Sequence, residues 1–149
     1  MSVYADTSFL LSYFGQDSNT LPAHRYAAAW IQPPRIAWTP FGQLEFNNAA
    51  RALIFSGKLD LTRWHAIQLR VKEDLRNGIL TARALPVYRH YEAAENISSA
   101  HTVRNGARTL DVLHVAAASV LGAKEFLSFD LRQRQLAAHC GLKILPSNA

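Results

Sequence analysis

Short apolar runs alternate along the chain with longer stretches whose apolar residues recur at helical spacing. Val3-Tyr4-Ala5 has the make-up of a short strand, and Asp6-Thr7-Ser8 after it are residues that cap helix N-termini. This predicts a strand-to-helix junction at Asp6, leading into Phe9-Leu10-Leu11. A second helix is expected over 22–31, entered at Asn19-Thr20 and stopped by Pro33-Pro34, and a strand over 35–38. Thr39-Pro40 offers a cap and a first-turn proline for a helix over about 40–56, closed by Gly57. The next helix, over about 61–76, carries Trp64, Ile67, Val71 and Leu75 as one stripe. After Asn77-Gly78 the pattern predicts a strand over 79–85 and a helix over 87–103 with Tyr88, Tyr91 and Ile97 inward. A helix over 109–121, a strand over 125–129, a helix over 133–139 and a strand over 142–145 complete the order. Such β-α-β alternation implies an α/β fold, a mainly parallel five-stranded sheet with helices on both faces.

Composition narrows the class. At 149 residues the chain suits one compact domain spanning 1–149, long enough to bury roughly 70% of its unfolded surface. No repeat and no Pro/Gly/Ser-rich linker divides it. Hydrophobic residues make up 49% and charged ones 18%, which excludes a disordered or collagen-like chain. The single cysteine, Cys140, excludes an internal disulfide framework and a Cys-based zinc cluster, and fits a reducing cytoplasm. It has no basic neighbours to activate it and reads as a small packed residue. Asp6 so close to the start argues against a signal peptide, and no apolar run reaches the roughly 18 residues of a membrane span. Sixteen Lys+Arg against 11 Asp+Glu give a formal charge of +5, which favours a polyanionic partner such as nucleic acid.

The acids sharpen that picture. Ligands of open parallel sheets bind beyond the carboxyl ends of the strands, and Asp6 and Asp130 each follow a predicted strand, on one common rim. Glu45 interrupts an apolar helix at Leu44-Glu45-Phe46, and Asp111 lies in the first turn of the helix after Thr109. Four converging carboxylates repel one another unless a cation sits among them, and a hard ion such as Mg²⁺ or Mn²⁺ prefers oxygen ligands. Such an ion activates water and holds a phosphodiester oxygen. Each acid also has an ordinary explanation: Asp6 and Asp130 as caps, Asp111 as a first-turn acid, Glu45 as a helix-edge residue. The combination is what points to chemistry. His114, three residues after Asp111, shares its side of the helix and is a candidate to orient a carboxylate, touch substrate or pack structurally. Arg104, Arg108, Arg132 and Arg134 flank the rim as candidate phosphate contacts, with plain solvation as the alternative. Trp30, Trp38 and Trp64 suit core or interface positions better than base-stacking platforms.

Val-Tyr-Ala-Asp-Thr-Ser-Phe-Leu-Leu at 3–11, Leu44-Glu45-Phe46, Arg108-Thr109-Leu110-Asp111-Val112-Leu113-His114 with its run of small residues, and Phe126-Leu127-Ser128-Phe129-Asp130 resemble the PIN domain. The chain is most similar to the VapC-type ribonuclease toxins of prokaryotic toxin–antitoxin pairs. The resemblance implies a three-layer α/β/α sandwich and Mg²⁺- or Mn²⁺-dependent endoribonuclease activity. It assigns the family's acids to Asp6, Glu45, Asp111 and Asp130, with Asp6, Asp111 and Asp130 as the main metal ligands and Glu45 acting through water. Thr7 falls on a hydroxyl position that holds a water or a carboxylate. Homodimerisation, an RNA substrate and a co-expressed antitoxin are implied in the same way. Two alternatives stand beside it. One is a PIN-like fold that binds RNA or a partner without catalysis. The other is an aspartyl-phosphate phosphatase, disfavoured because the position two residues after Asp6 is Ser8 and not a second aspartate.

Overall fold

The computed structural model describes residues 2–147. Five strands, β1 (Ser2–Ala5), β2 (Arg35–Trp38), β3 (Leu80–Ala82), β4 (Glu125–Leu127) and β5 (Lys143–Leu145), form one sheet in the order β3-β2-β1-β4-β5. Every neighbouring pair is parallel, so the sheet is wholly and not merely mainly so. Its connections are the helices α1 (Thr7–Phe14), α2 (Thr20–Ala28), α3 (Pro40–Phe55), α4 (Leu61–Arg76), α5 (Val87–Asn105), α6 (Thr109–Val120) and α7 (Leu131–His139). No described helix is long and apolar enough to cross a membrane.

Alternation along the strands divides the core in two. Val3, Ala5, Ile36, Trp38 and Leu80 face Phe9, Phe14, Phe46, Trp64 and Ile67 of α1, α3 and α4. Tyr4, Ala37 and Phe126 face Ala94 of α5, the apolar run of α6, and Leu136 of α7. Full burial of large side chains such as Phe9, Phe46 and Phe126 contributes about 1.5–3 kcal/mol each. Residues Asp111 to Ala118 are all buried because α6 lies between the sheet, α5 and α7, and only small residues on most sides allow that.

Four expectations are corrected. Helix α2 ends at Ala28, not 31, which leaves Trp30 half-buried beyond its end and Ile31 fully exposed. Strand β3 stops at Ala82 because its sole neighbour β2 ends opposite, at Trp38, before Pro40. Helix α5 turns inward His90 and Ala94, with Ile97, while Tyr88 and Tyr91 are exposed. An inner stripe at i, i+4 and i+7 from His90 suits close packing on α6; two tyrosines there would hold the helices apart. Strand β4 ends at Leu127, so Asp130 lies three residues past it, where it caps α7 from Leu131.

Candidate functional site

The carboxyl ends of β1 and β4 are adjacent, and the cleft lies over them. A hollow of about 330 Å³ is lined by Asp6, Glu45, Asp111 and Asp130 together with Thr7, Arg108 and His114. All four acids singled out from the sequence therefore share one cavity.

Asp6 is the N-cap of α1 and is 3% exposed. Its Oδ1 accepts from the Phe9 backbone N–H (3.0 Å) and the Ser8 hydroxyl (2.6 Å), and its Oδ2 accepts from the Ser128 hydroxyl (2.5 Å). Ser8 Oγ in turn accepts from the backbone N–H groups of Phe129 (3.0 Å) and Asp130 (3.3 Å), tying the β4–α7 loop to α1. Burial raises the Asp6 carboxyl pKa above the usual range; His114, Ser128, Ser8 and the Phe9 amide oppose that without cancelling it. Both oxygens of Asp6 are engaged, which is poor preparation for a nucleophile and speaks against the phosphatase alternative.

Glu45 projects from the second turn of α3. Its Oε2 accepts from the Thr7 hydroxyl (2.9 Å) and meets His114 Nε2. Burial pushes the Glu45 carboxyl up, but His114 and Thr7 outweigh it and hold the pKa below its ordinary value. His114 is buried, and its Nδ1 lies 2.8 Å from the Tyr4 hydroxyl.

Across the cleft, Asp111 Oδ2 accepts from the Arg108 backbone N–H (3.3 Å) and from Arg108 Nε (3.4 Å). Asp130 caps α7, its Oδ1 accepting from the amides of Arg132 (2.9 Å) and Gln133 (3.2 Å), while its Oδ2 lies 3.9 Å from Arg108 Nη2. Cap and cleft roles coexist in Asp6 and Asp130, because a helix N-cap beyond a strand's carboxyl end lies on the rim; Asp111, in the first turn of α6 after α5, instead closes a capping box with Arg108.

Of the four arginines, Arg108 alone lines the cleft. Arg132 is exposed beside a smaller recess that Asp111 also borders, and Arg104 is exposed in the last turn of α5. Arg134 is committed elsewhere: it donates to the carbonyls of Ser128 (2.7 Å) and Pro146 (2.9 Å), clamping the β4–α7 loop to the end of β5. Those internal bonds replace the phosphate contact expected of it. Cys140 is half-buried and its thiol pKa is raised by burial, which keeps it an inert thiol. Tyr4, Ser8, Ser128 and Gln133 were not singled out from the sequence. Gln133, 2% exposed, donates from Nε2 to the Asp111 carbonyl (3.1 Å) and so joins α7 to α6 under the cleft.

Carboxylate oxygens without thiolates are the donor set of a hard divalent cation. Among the described residues, no three His, Cys, Asp or Glu side chains already stand close enough to grip one. Their oxygens are turned onto hydroxyls, amides, an imidazole and the Arg108 guanidinium. The donor chemistry fits such an ion, and the Arg108 guanidinium lies between Asp111 and Asp130.

The PIN domain family model matches residues 3–139. The chain belongs to the PIN-domain family. Several solved structures share this PIN fold. Mycobacterium tuberculosis VapC20, described as a sarcin–ricin loop cleaving toxin, matches with a TM-score of 0.64 at 16% identity, covering 94% of this chain and 95% of that one. VapBC-1 from nontypeable Haemophilus influenzae gives 0.62 at 14% identity, covering 97% and 96%. VapBC2 from Rickettsia felis, bound to a DNA fragment from its promoter, gives 0.59 at 13% identity, covering 97% of each chain. At such identities these likenesses speak for the fold. No curated protein is a significant match by sequence.

Proposed function

We propose that this PIN domain is a divalent-metal-dependent endoribonuclease and the toxin of a toxin–antitoxin pair. The observation that carries the proposal is the convergence of Asp6, Glu45, Asp111 and Asp130 on one cleft at the carboxyl rim of the sheet, in a chain of charge +5. Asp6, Asp111 and Asp130 would hold Mg²⁺ or Mn²⁺, with Glu45 close by. A bound ion of this kind supplies Lewis-acid polarisation of a phosphodiester oxygen and lowers the pKa of water.

The chain's own residues do the rest. Glu45, kept ionised by His114 and Thr7, orients the attacking water and takes its proton. Ser8 and Ser128 hold Asp6 in place, so that its carboxylate costs little reorganisation. Arg108, 63% exposed in its side chain, is placed to leave its two acids and pair with an RNA phosphate, while Arg132 and Arg104 are exposed outside the cleft. The toxin reading brings with it a cytoplasmic site of action, an antitoxin partner, a homodimer, and a single nuclease domain over the whole chain. The Haemophilus and Rickettsia structures, both of VapBC, support the antitoxin.

Arg108's hold on Asp111 and Asp130 also suits the other reading, an RNA-binding fold without catalysis. Cleavage of structured RNA separates the two. Wild-type protein should cut with Mg²⁺ or Mn²⁺ and stop with EDTA, and Asp111→Asn should leave background alone. Equal background from wild type and Asp111→Asn would end the nuclease reading.

A further inference from the structure

We infer that Tyr4 is a positioning residue for the cleft: its hydroxyl holds His114 as the tautomer protonated on Nε2, which makes the imidazole a donor to Glu45. Tyr4 lies on β1, two residues before Asp6, and is 1% exposed, its ring stacked on Phe126 at 5.5 Å. Its hydroxyl meets His114 Nδ1 at 2.8 Å, a contact between residues 110 positions apart in the chain. Among the described residues, that nitrogen is the hydroxyl's one hydrogen-bond partner.

A neutral imidazole has one donor and one acceptor nitrogen, so the Tyr4 contact decides which is which. With the proton on Nε2, the Tyr4 O–H donates to Nδ1 and Nε2–H donates to Glu45 Oε2; both bonds are made. With the proton on Nδ1, the ring would donate to the tyrosine oxygen and strand the phenol proton in a dry site. Nε2 would then turn a lone pair on a carboxylate. A stranded buried donor and a lone-pair clash are both costly, so the first arrangement wins.

The consequence lies at Glu45. Thr7 and His114 both donate to Oε2, and Oε1 has no hydrogen-bond partner among the described residues. One oxygen is fixed and the other is left for water in the cleft. A residue wholly inside the sheet–helix core thereby sets which carboxylate oxygen works.

This deepens the nuclease reading and rests on it for Glu45's role, but the tautomer itself is read without RNA or metal. Long-range ¹H–¹⁵N correlation of the histidine rings in the whole wild-type protein should show His114 protonated on Nε2 and bare at Nδ1. Tyr4→Phe keeps the ring and removes the hydroxyl. In that variant the two ¹⁵N shifts should move toward a tautomer mixture, with kcat for RNA down about tenfold and KM within about twofold. Should Tyr4→Phe not fold, 3-fluorotyrosine at position 4 keeps the packing and makes the phenol a stronger donor. The His114 Nδ1 resonance must then shift while the other histidines stay. A wild-type Nδ1–H signature, an unchanged His114 signature in Tyr4→Phe, or an unmoved Nδ1 with fluorotyrosine would each overturn the inference. An Nε2–H signature in a protein that cuts no RNA would instead sink the nuclease reading and leave the tautomer assignment standing.

Discussion

Asp6 and Glu45 form one side of the cleft, Asp111 and Asp130 the other, and different partners hold the two sides. On the first, hydroxyls, a backbone amide and an imidazole engage both oxygens of Asp6 and one oxygen of Glu45. Those partners are anchored in α1, α6 and the β4–α7 loop, and most are buried. On the second, one guanidinium on a largely exposed side chain faces both acids. The inner side therefore keeps its geometry. The outer side has its charge offset by a group that can leave. A cleft for a cation and a polyanion needs both properties, fixed oxygens on one side and an exchangeable positive charge on the other.

Substitutions can break this contrast. The largest effect is expected from Glu45→Gln, which keeps the shape and removes the charge: RNA cleavage should fall roughly 10²–10⁴-fold in single-turnover assays. Because the Glu45 pKa is depressed, its stabilising contribution is fully present above the unfolded value near ~4.3 and is lost as pH falls through the folded one. Wild type should thus lose its stability margin over Glu45→Gln in acid, read by urea melts at several pH values. His114→Ala comes next. It leaves a buried phenol and a carboxylate without their shared partner and opens a cavity, for a loss of about 2–4 kcal/mol in the same melts.

Asp6→Asn should act in the opposite direction. The Asp6 pKa is raised, so the carboxyl's contribution is present below the unfolded value near ~3.9 and lost as pH rises through the folded one. Once ionised the buried group costs stability, and the amide should gain about 1 kcal/mol in EDTA. The smallest change belongs to the outer side. Arg108→Ala should alter metal-free stability by no more than about 0.5 kcal/mol, since the pair is solvent-screened, yet lower the salt slope of RNA binding by about 1. Arg134→Ala should leave that slope alone and loosen the β4–α7 loop; an equal slope change in both variants would erase the distinction between them.

Much of this was legible in the sequence because strand and cap signals coincide. Ala5-Asp6 and the run from Phe126 to Asp130 put acids where strands end, and a parallel sheet brings those ends together whatever the strand order. The stripe of Trp64, Ile67 and Val71 and the caps at Asp6 and Thr39 were equally readable. What the pattern hid depends on partners distant in sequence. Tyr88 and Tyr91 are large aromatics of a kind that often packs in cores, and only the close approach of α5 to α6 selects His90 and Ala94 instead. Arg134 is one basic residue among several until the loop it clamps is in place. Tyr4 and Ser128 look like strand residues, and their roles appear only when β1 meets α6 and β4. A small polar residue in Phe-Leu-Ser-Phe-Asp was the one available signal.

The central claim is that four carboxylates act as one cation-holding centre, and thermal melting tests it most directly. Wild-type protein should melt about 5 °C or more higher in millimolar Mn²⁺ than in EDTA, since an ion that binds the folded state alone stabilises it. Asp6→Asn should begin higher in EDTA and gain less from Mn²⁺. Identical melting temperatures with and without metal, in wild type and Asp6→Asn alike, would contradict the account.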